Sequence, residues 1–142
     1  MRIVIDSNRV LAAMIKQSTT REIFFDVLFE FVAPDFIWTE VGKYEDRVIK
    51  AGDISKEDFE VLFALVFEHI TIMPETEYSQ YVESLKKEIA DQKDIPYIAV
   101  CLASKAEGIW THDPHFKQQQ KAKVFTNIDL LRLSGKARTD NN

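Results

Sequence analysis

The chain has 142 residues, of which 46% are hydrophobic, with a formal net charge of −5 and a single cysteine. This length and apolar content are typical of one domain with one buried core, and a lone cysteine excludes an intramolecular disulfide. The sequence shows neither a signal peptide nor an apolar run near the roughly 20 residues of a membrane span, so we expect a soluble, cytoplasmic protein with no membrane contact.

The first half of the chain alternates between short apolar runs and segments with the apolar spacing of a helix. Pro34 and Asp35 open the longest of these helices, because proline is favoured at a helix start and aspartate at its cap. Ser55 with Asp58 three residues later resembles a capping box and opens the next helix. The predicted elements are a strand over 2–5, helices over 8–16 and 21–30 (the second capped at Thr19 or Thr20), a strand over 31–33, and helices over 36–52 and 56–68.

The second half continues this alternation. Its most apolar helix begins at Asp94 and stops at Gly108, and this composition predicts a central packing element in which Cys101 is buried. We expect residues 134–142 to form a flexible C-terminal tail. The other predicted elements are strands over 69–73, 109–111 and 123–126, and helices over 78–89 and 128–133.

Strands and helices that alternate in this way favour a parallel sheet, because parallel neighbours need crossover connections of about this length. We therefore predict a three-layer α/β/α sandwich around a central, mainly parallel five-stranded sheet, formed by residues 1–133. A nucleotide-binding domain is the obvious alternative, but its first strand would lead into a glycine-rich loop. Here Asp6, Ser7 and Asn8 follow that strand instead, an arrangement that presents an acid.

Four acidic residues lie where predicted strands give way to helices or just inside a helix start: Asp6, Glu40, Asp94 and Asp113. These segments meet at the carboxyl edge of a parallel sheet, where open α/β folds bind ligands. Clustered carboxylates repel one another, so at least one should have a raised pKa without a counter-charge. A divalent metal, Mg²⁺ or Mn²⁺, is the simplest counter-charge and usually serves phosphoryl chemistry. Asp6 and Asp94 are the best direct ligands, Asp113 and Glu40 complete the site, and one of the latter two would orient or deprotonate a water.

Weaker candidates lie beside these acids. Asn8 and Thr111 each lie two residues from an acid and could bind a water or a phosphate oxygen, although Asn8 is equally well placed to cap the first helix. His112 and His115 lack the spacing of a helical zinc pair, so we do not expect zinc. Asp91 precedes Asp94 by three residues and is expected to be solvated or to cap a turn.

The acidic balance is unusual for a protein that binds nucleic acid, which is normally basic on at least one face. It is less unusual if the acids are concentrated in a metal site.

Trp38 and Trp110 lie in apolar stretches, so we expect packing rather than base stacking. Apolar residues over 24–29 cover more than one helix face, which indicates a partner surface or core. Several cations are available for a phosphate-binding rim, although for any one of them an ordinary solvated surface charge is the more common role. They include Arg9, Lys16, Arg21, Lys43, Arg47, Lys50, Lys117, Lys121 and Lys123.

The flanks of the four acids resemble the four acidic motifs of the PIN domain family. The matching segments are VIDSN with Asp6, APDFIWTEV with Glu40, DIPYIAVCLA with Asp94 and IWTHDPHF with Asp113, and the resemblance extends from residue 2 to about 133. It implies an α/β/α sandwich, a Mg²⁺- or Mn²⁺-dependent ribonuclease that acts on RNA, and often a homodimer. Many small relatives are toxins of VapC-type toxin–antitoxin pairs. A cognate antitoxin would cover the acidic cleft, often with a basic side chain that reaches the carboxylates.

Two residues depart from the family pattern. Arg9 stands where the family more often has an apolar residue, so a cation lies close to the metal site or turns outward. His112 stands where a small or amide residue is more usual. Both departures concern substrate preference, because neither removes a carboxylate. Two alternatives remain open: a non-catalytic module that binds RNA or protein, and an RNA-processing nuclease without a toxin role.

Overall fold

The computed structural model describes residues 1–15 and 18–136. The elements in chain order are β1 (Arg2–Ile5), α1 (Ser7–Ile15), α2 (Thr19–Phe24), β2 (Glu30–Pro34), α3 (Phe36–Gly42), α4 (Glu45–Gly52), α5 (Lys56–Glu68), β3 (Ile70–Met73), α6 (Glu75–Lys86), α7 (Ile95–Ser104), β4 (Ile109–Trp110), a 3₁₀ helix (Pro114–Gln118), β5 (Val124–Phe125) and α8 (Asn127–Leu133).

Within the described ranges, five strands form one parallel sheet in the order β3-β2-β1-β4-β5. The central strand β1 pairs on one side with β2, where Val4 faces Val32, and on the other with β4, where Ile5 faces Trp110. Consecutive residues Ile3, Val4 and Ile5 are completely buried, because helices cover both faces of a parallel sheet. The predicted α/β class with a central parallel sheet is confirmed.

The helix α7 is the central packing element that its composition predicts. Ile98, Ala99 and Val100 are fully buried although they point in different directions around the helix axis, so neighbours surround it. The helix contacts β1, β2 and α6. Cys101 is a free, buried thiol, as expected. At Gly108, an added Cβ would lie 2.6 Å from the Lys123 carbonyl oxygen, so the approach of the β5 segment requires glycine there.

Three predicted helices have different bounds. The helix predicted over 36–52 is two helices, because α3 ends at Gly42, a poor helix former, and α4 begins at Glu45. The helix predicted over 21–30 begins earlier, with Ser18 rather than a threonine as its cap, and ends at Phe24. Beyond it, Asp26 accepts a hydrogen bond from the Leu28 amide, a local turn that competes with helix.

The third altered helix, predicted over 78–89, is α6 at Glu75–Lys86. Pro74 precedes its first residue with an extended backbone, so the helix begins directly after the proline. The remaining helices and the strands lie within one to four residues of their predicted bounds. No helix among residues 1–15 and 18–136 is long and apolar enough to cross a membrane.

The predicted tail falls largely on residues 137–142, which lie outside the described ranges, as does Lys16. Before that point, Lys136 forms an ion pair with Asp26 at 2.8 Å. The apolar segment over 24–29 divides between core and surface: Phe24 and Phe29 are buried, whereas Phe25, Val27 and Leu28 are exposed.

Candidate active site

All four acidic residues lie at the carboxyl edge of the sheet or at the helices that begin there. Asp6 directly follows β1, and Asp113 follows the neighbouring strand β4 by three residues. The Asp6 amide donates to the Trp110 carbonyl oxygen at 3.1 Å, which fixes the ends of these two strands together. Asp94 directly precedes α7, and Glu40 lies inside α3.

Thr111 connects two of these acids. Its hydroxyl Oγ1 donates a hydrogen bond of 2.7 Å to Oδ2 of Asp6, and the same oxygen accepts one of 3.0 Å from the Asp113 amide. Thr111 is fully buried, so its hydroxyl has a fixed environment. One oxygen of Asp6 is therefore oriented by β4, while the other lies near the Ser7 hydroxyl at 3.4 Å.

Both buried aspartates hold their protons more tightly than usual. Burial is the main cause that raises the pKa of Asp6 to about 6, with the charges of Glu40 and Asp113 adding to it and the Thr111 hydrogen bond opposing it. This result confirms the prediction that at least one acid has a raised pKa. The leading cause is desolvation, and repulsion between carboxylates is the smaller contribution.

Asp94 is affected in the same direction and more strongly. Burial is the main cause that raises its pKa to about 7, with the charges of Asp91, Asp113 and Asp6 adding to it and His115 opposing it. The residue is only 7% exposed and its side chain makes no capping hydrogen bond to α7. Asp91 itself caps a turn by accepting a hydrogen bond from the Lys93 amide, as expected.

Glu40 is held by a residue that the sequence analysis did not single out, Tyr97. The Tyr97 hydroxyl donates a hydrogen bond to Oε1 of Glu40 and joins α7 to α3. Burial, followed by the charge of Glu40, raises the pKa of Tyr97 far above its usual range, so the phenol stays protonated and acts as a donor. The available signal was a hydroxyl in an otherwise apolar helix, three residues after Asp94.

The two histidines near Asp113 face different partners. His115 Nδ1 lies 3.0 Å from Oδ1 of Asp113, which also accepts a hydrogen bond from the His115 amide. His112 Nε2 instead accepts a hydrogen bond of 3.2 Å from the Asn127 amide. The two imidazole rings therefore have different hydrogen-bond partners.

Asn8 and Arg9 lie in the first turn of α1. The helix begins at Ser7, so the alternative in which Asn8 caps it is wrong. The side-chain oxygen Oδ1 of Asn8 accepts a hydrogen bond of 3.2 Å from Nε of Arg9. The Arg9 side chain turns toward Thr20 of α2, whose hydroxyl accepts from Nη1 at 3.3 Å.

Trp38 and Trp110 have different environments. Trp110 is fully buried and stacks on Phe31 with ring centroids 5.3 Å apart, as expected. Trp38 is 48% exposed, so the expectation that it is packed is wrong. The reason is that α3 turns Ile37 and Val41 into the core and leaves the Trp38 position on its outer face.

Carboxylate oxygens are the type of ligand that a hard cation prefers, although these acids do not form a complete coordination shell. Across the described parts of the chain, no group of three or more histidine, cysteine, aspartate or glutamate side chains is arranged to hold a metal ion. Mg²⁺ needs fewer protein ligands, because it keeps several waters and is usually bound through one or two carboxylates. Asp6 and Asp94 meet that requirement, since both are buried oxygen donors whose pKa values are raised first by burial and then by neighbouring carboxylates.

An open cavity adjoins Asp94. It has a volume of about 720 Å³ and lies between the segment that connects α6 to α7 and the 3₁₀ helix. Most of its lining residues have polar side chains, so it can admit a hydrated, polar ligand. The lining includes Ile89, Asp91, Lys93, Asp94, His115 and Gln118.

Comparison with known proteins agrees with this architecture. The sequence model of the PIN domain matches residues 4–128, which is most of the chain and includes all four acids. No curated protein matches the chain. The family match confirms the resemblance drawn from the acidic motifs, and the five-stranded parallel sheet is consistent with it. The chain therefore belongs to the PIN domain family, whose members are generally nucleases.

Proposed function

We propose that this protein is a ribonuclease that hydrolyses RNA phosphodiester bonds with Mg²⁺ or Mn²⁺. The observation that carries the proposal is the placement of Asp6 and Asp94. Both carboxylates are buried at the carboxyl edge of the sheet with pKa values raised to about 6 and about 7, and an open cavity adjoins Asp94. Strongly perturbed acids in a cleft are typical of catalytic sites, and here they lie where the fold binds its ligands.

The roles of the residues follow from their contacts. A bound divalent cation would supply positive charge to the scissile phosphate and acidify the attacking water. Asp6 and Asp94 would be its direct ligands with Asp113 beside them, and the Thr111 hydroxyl would fix the Asp6 carboxylate. Glu40 would orient the water or accept its proton, because its carboxylate is held by Tyr97.

The direct test is the incubation of purified protein with a mixed pool of structured and single-stranded RNA in Mg²⁺, Mn²⁺ or EDTA. We expect cleavage with either metal, none in EDTA, and loss of cleavage in Asp6→Asn and Asp94→Asn. Cleavage that persists in both variants would place the reaction elsewhere. Absence of cleavage by the folded protein with every metal would favour the alternative, a non-catalytic PIN module that binds RNA or protein.

We also propose a protein partner for this domain, either a second copy or an antitoxin. Large apolar side chains that are exposed support such a contact, among them Phe25, Val27, Trp38, Val61 and Leu65. Sedimentation of the purified protein tests the homodimer, and arrest of cell growth on expression tests the toxin role. A monomer that cleaves RNA without arresting growth would favour an RNA-processing nuclease.

A further inference from the structure

The guanidinium of Arg9 is partly buried near the acids without forming an ion pair. Among the described residues, none of its partners is a carboxylate: Nε donates to the amide oxygen of Asn8 and Nη1 to the hydroxyl of Thr20. Both partners are neutral, so they orient the cation without neutralising it. Partial burial lowers the pKa of Arg9 and the nearby charge of Asp6 opposes that change.

A partly buried hydrogen-bond network fixes the position of this cation. Thr20 is 6% exposed, and its hydroxyl also accepts a hydrogen bond of 3.0 Å from Nδ2 of Asn127. Asn127 in turn accepts one of 2.9 Å from Nε1 of Trp110, the last residue of β4. Arg9 on α1 is therefore tied through α2 and α8 to the strand that leads to Asp113, and it is oriented before any ligand arrives.

The same network orients His112. The backbone amide of Asn127 donates to its Nε2, so in the neutral ring the proton lies on Nδ1, which donates no hydrogen bond to another residue of the described ranges. The charge of Arg9 lowers the pKa of His112, second to burial, which places the two side chains in the same neighbourhood although they are far apart in sequence. Both residues depart from the family pattern, and the fold brings the two departures together.

We propose that Arg9 and His112 form a phosphate subsite that binds the RNA chain beside the scissile linkage. A guanidinium and an imidazole N–H are donors that suit phosphate oxygens. A cavity of about 320 Å³ adjoins the histidine of this pair, with His112, Asp113, Lys117 and Asn127 in its lining. The subsite rests on the proposed function for its substrate, and it answers a physical need, because a cluster of carboxylates repels a polyanion unless fixed cations attract it.

Binding of a short single-stranded RNA, measured by fluorescence anisotropy in Mg²⁺, tests the subsite. The measurements use the Asp94→Asn background so that the RNA is not cleaved. Arg9→Gln should weaken binding about tenfold, as expected for the loss of a charged hydrogen bond. It should also reduce the slope of log affinity against log salt by about 0.7, the value for one phosphate contact on a single strand.

A matched control removes the same charge at the opposite edge of the sheet. Arg2 begins the strand that ends before Asp6, and it pairs with Glu30. Arg2→Gln should leave both the affinity and the salt slope unchanged. Circular dichroism establishes that each variant is folded. Equal losses in Arg2→Gln and Arg9→Gln would show a general effect of net charge and overturn the subsite.

Neutral linkages identify the contact more sharply. In a series of RNAs that each carry one methylphosphonate linkage, one member should bind the parent protein less tightly than unmodified RNA does. The Arg9→Gln protein should bind that same member no less tightly than it binds unmodified RNA. His112→Ala should reduce the penalty at that same linkage. Penalties that are identical with and without Arg9 at every linkage would overturn the proposal.

The failure of the subsite and the failure of the nuclease proposal are distinguishable. If the parent protein cleaves RNA and Arg9→Gln leaves KM and the salt slope unchanged, the nuclease stands and the subsite is wrong. If no metal supports cleavage but RNA binding depends on Arg9, the subsite stands on a binding module. If Arg9→Gln alters thermal stability but not RNA affinity, Arg9 serves only to balance the charge of Asp6, and the subsite is wrong.

Discussion

The two ends of β1 differ in the pairing and the burial of their charged side chains. At the amino end, Arg2 pairs with Glu30 at 3.7 Å and donates to the Ser104 carbonyl oxygen at 2.7 Å. The charged side chains of that pair are about half exposed, so water screens the pair and it contributes little to stability. At the carboxyl end, Asp6 and Asp94 are more than nine-tenths buried.

This difference shows where the fold tolerates an electrostatic cost. Exposed charges at the amino edge have partners of opposite sign, whereas the buried acids at the carboxyl edge lie beside other acids that raise their pKa values. Uncompensated charge of this kind destabilises a free protein, and its retention is expected where a ligand provides the compensation. The contrast can be tested by changing one edge at a time.

The largest expected effect is on catalysis. Asp6→Asn or Asp94→Asn should reduce RNA cleavage by about 10³-fold or more, because either change removes a ligand that positions positive charge at the phosphate. Glu30→Gln changes a carboxylate to an amide at the amino edge, and it should leave the rate within twofold. Gel-based cleavage rates in Mg²⁺ decide between these expectations. A loss of activity in Glu30→Gln equal to that in Asp6→Asn would remove the distinction between the edges.

The next effect concerns the residue that orients Asp6. Thr111→Val keeps the shape of the side chain but removes the hydroxyl that donates to Oδ2 of Asp6 and accepts from the Asp113 amide. Loss of a partner of this kind typically costs about 10- to 100-fold in activity. Thr111→Ser retains the hydroxyl and should restore most of the rate. Equal activity of the valine and serine variants would show that the hydroxyl does not position Asp6.

Stability should respond in the opposite direction from activity. Asp94 has an ordinary pKa of 3.8 and a folded-state pKa of about 7, so the folded protein binds the extra proton between these values. In EDTA, the free energy of unfolding should therefore fall as pH rises from about 4 to about 7. Asp94→Asn removes this pH-dependent loss of stability. At pH 8 its free energy of unfolding should exceed that of the parent protein by about 1–2 kcal/mol, after allowance for solvent screening.

Urea denaturation at several pH values measures this effect. The curves of the parent and Asp94→Asn proteins should converge near pH 4 and separate above it. Curves that stay parallel across the range would mean that Asp94 has an ordinary pKa. Addition of Mg²⁺ should narrow the separation at pH 8, because an ion that binds the carboxylate stabilises the folded parent protein.

Some of this arrangement could be read from the sequence because it depends on local patterns. The β-branched run before Asp6 predicts both bounds of β1. The alternation of strands and helices predicts a parallel sheet, and the acids that follow its strands lie at one edge of that sheet. The break at Gly42 is also local, but a glycine inside a helical pattern does not by itself end a helix. Its effect depends on how α3 and α4 pack.

Other features depend on contacts between distant residues. The direction of the Arg9 side chain is set by Thr20, whose hydroxyl also binds Asn127, 107 residues later. The contact between Tyr97 and Glu40 joins residues 57 positions apart. A single sequence gives the residue types and their elements, but such pairs follow only from the three-dimensional arrangement of the helices around the sheet.

The smallest expected effect separates a positioning hydrogen bond from a structural one. Tyr97→Phe removes the hydroxyl that holds Glu40 and should lower kcat about two- to tenfold with little change in KM, the range for one hydrogen bond. Tyr78 offers a matched control, because its hydroxyl donates to Oδ1 of Asp35 at 2.9 Å, a carboxylate outside the four acids. Tyr78→Phe should cost comparable stability and leave kcat unchanged. If both variants lower kcat equally, the loss reflects the packing of the helices, and the Tyr97 hydroxyl does not position Glu40 for catalysis.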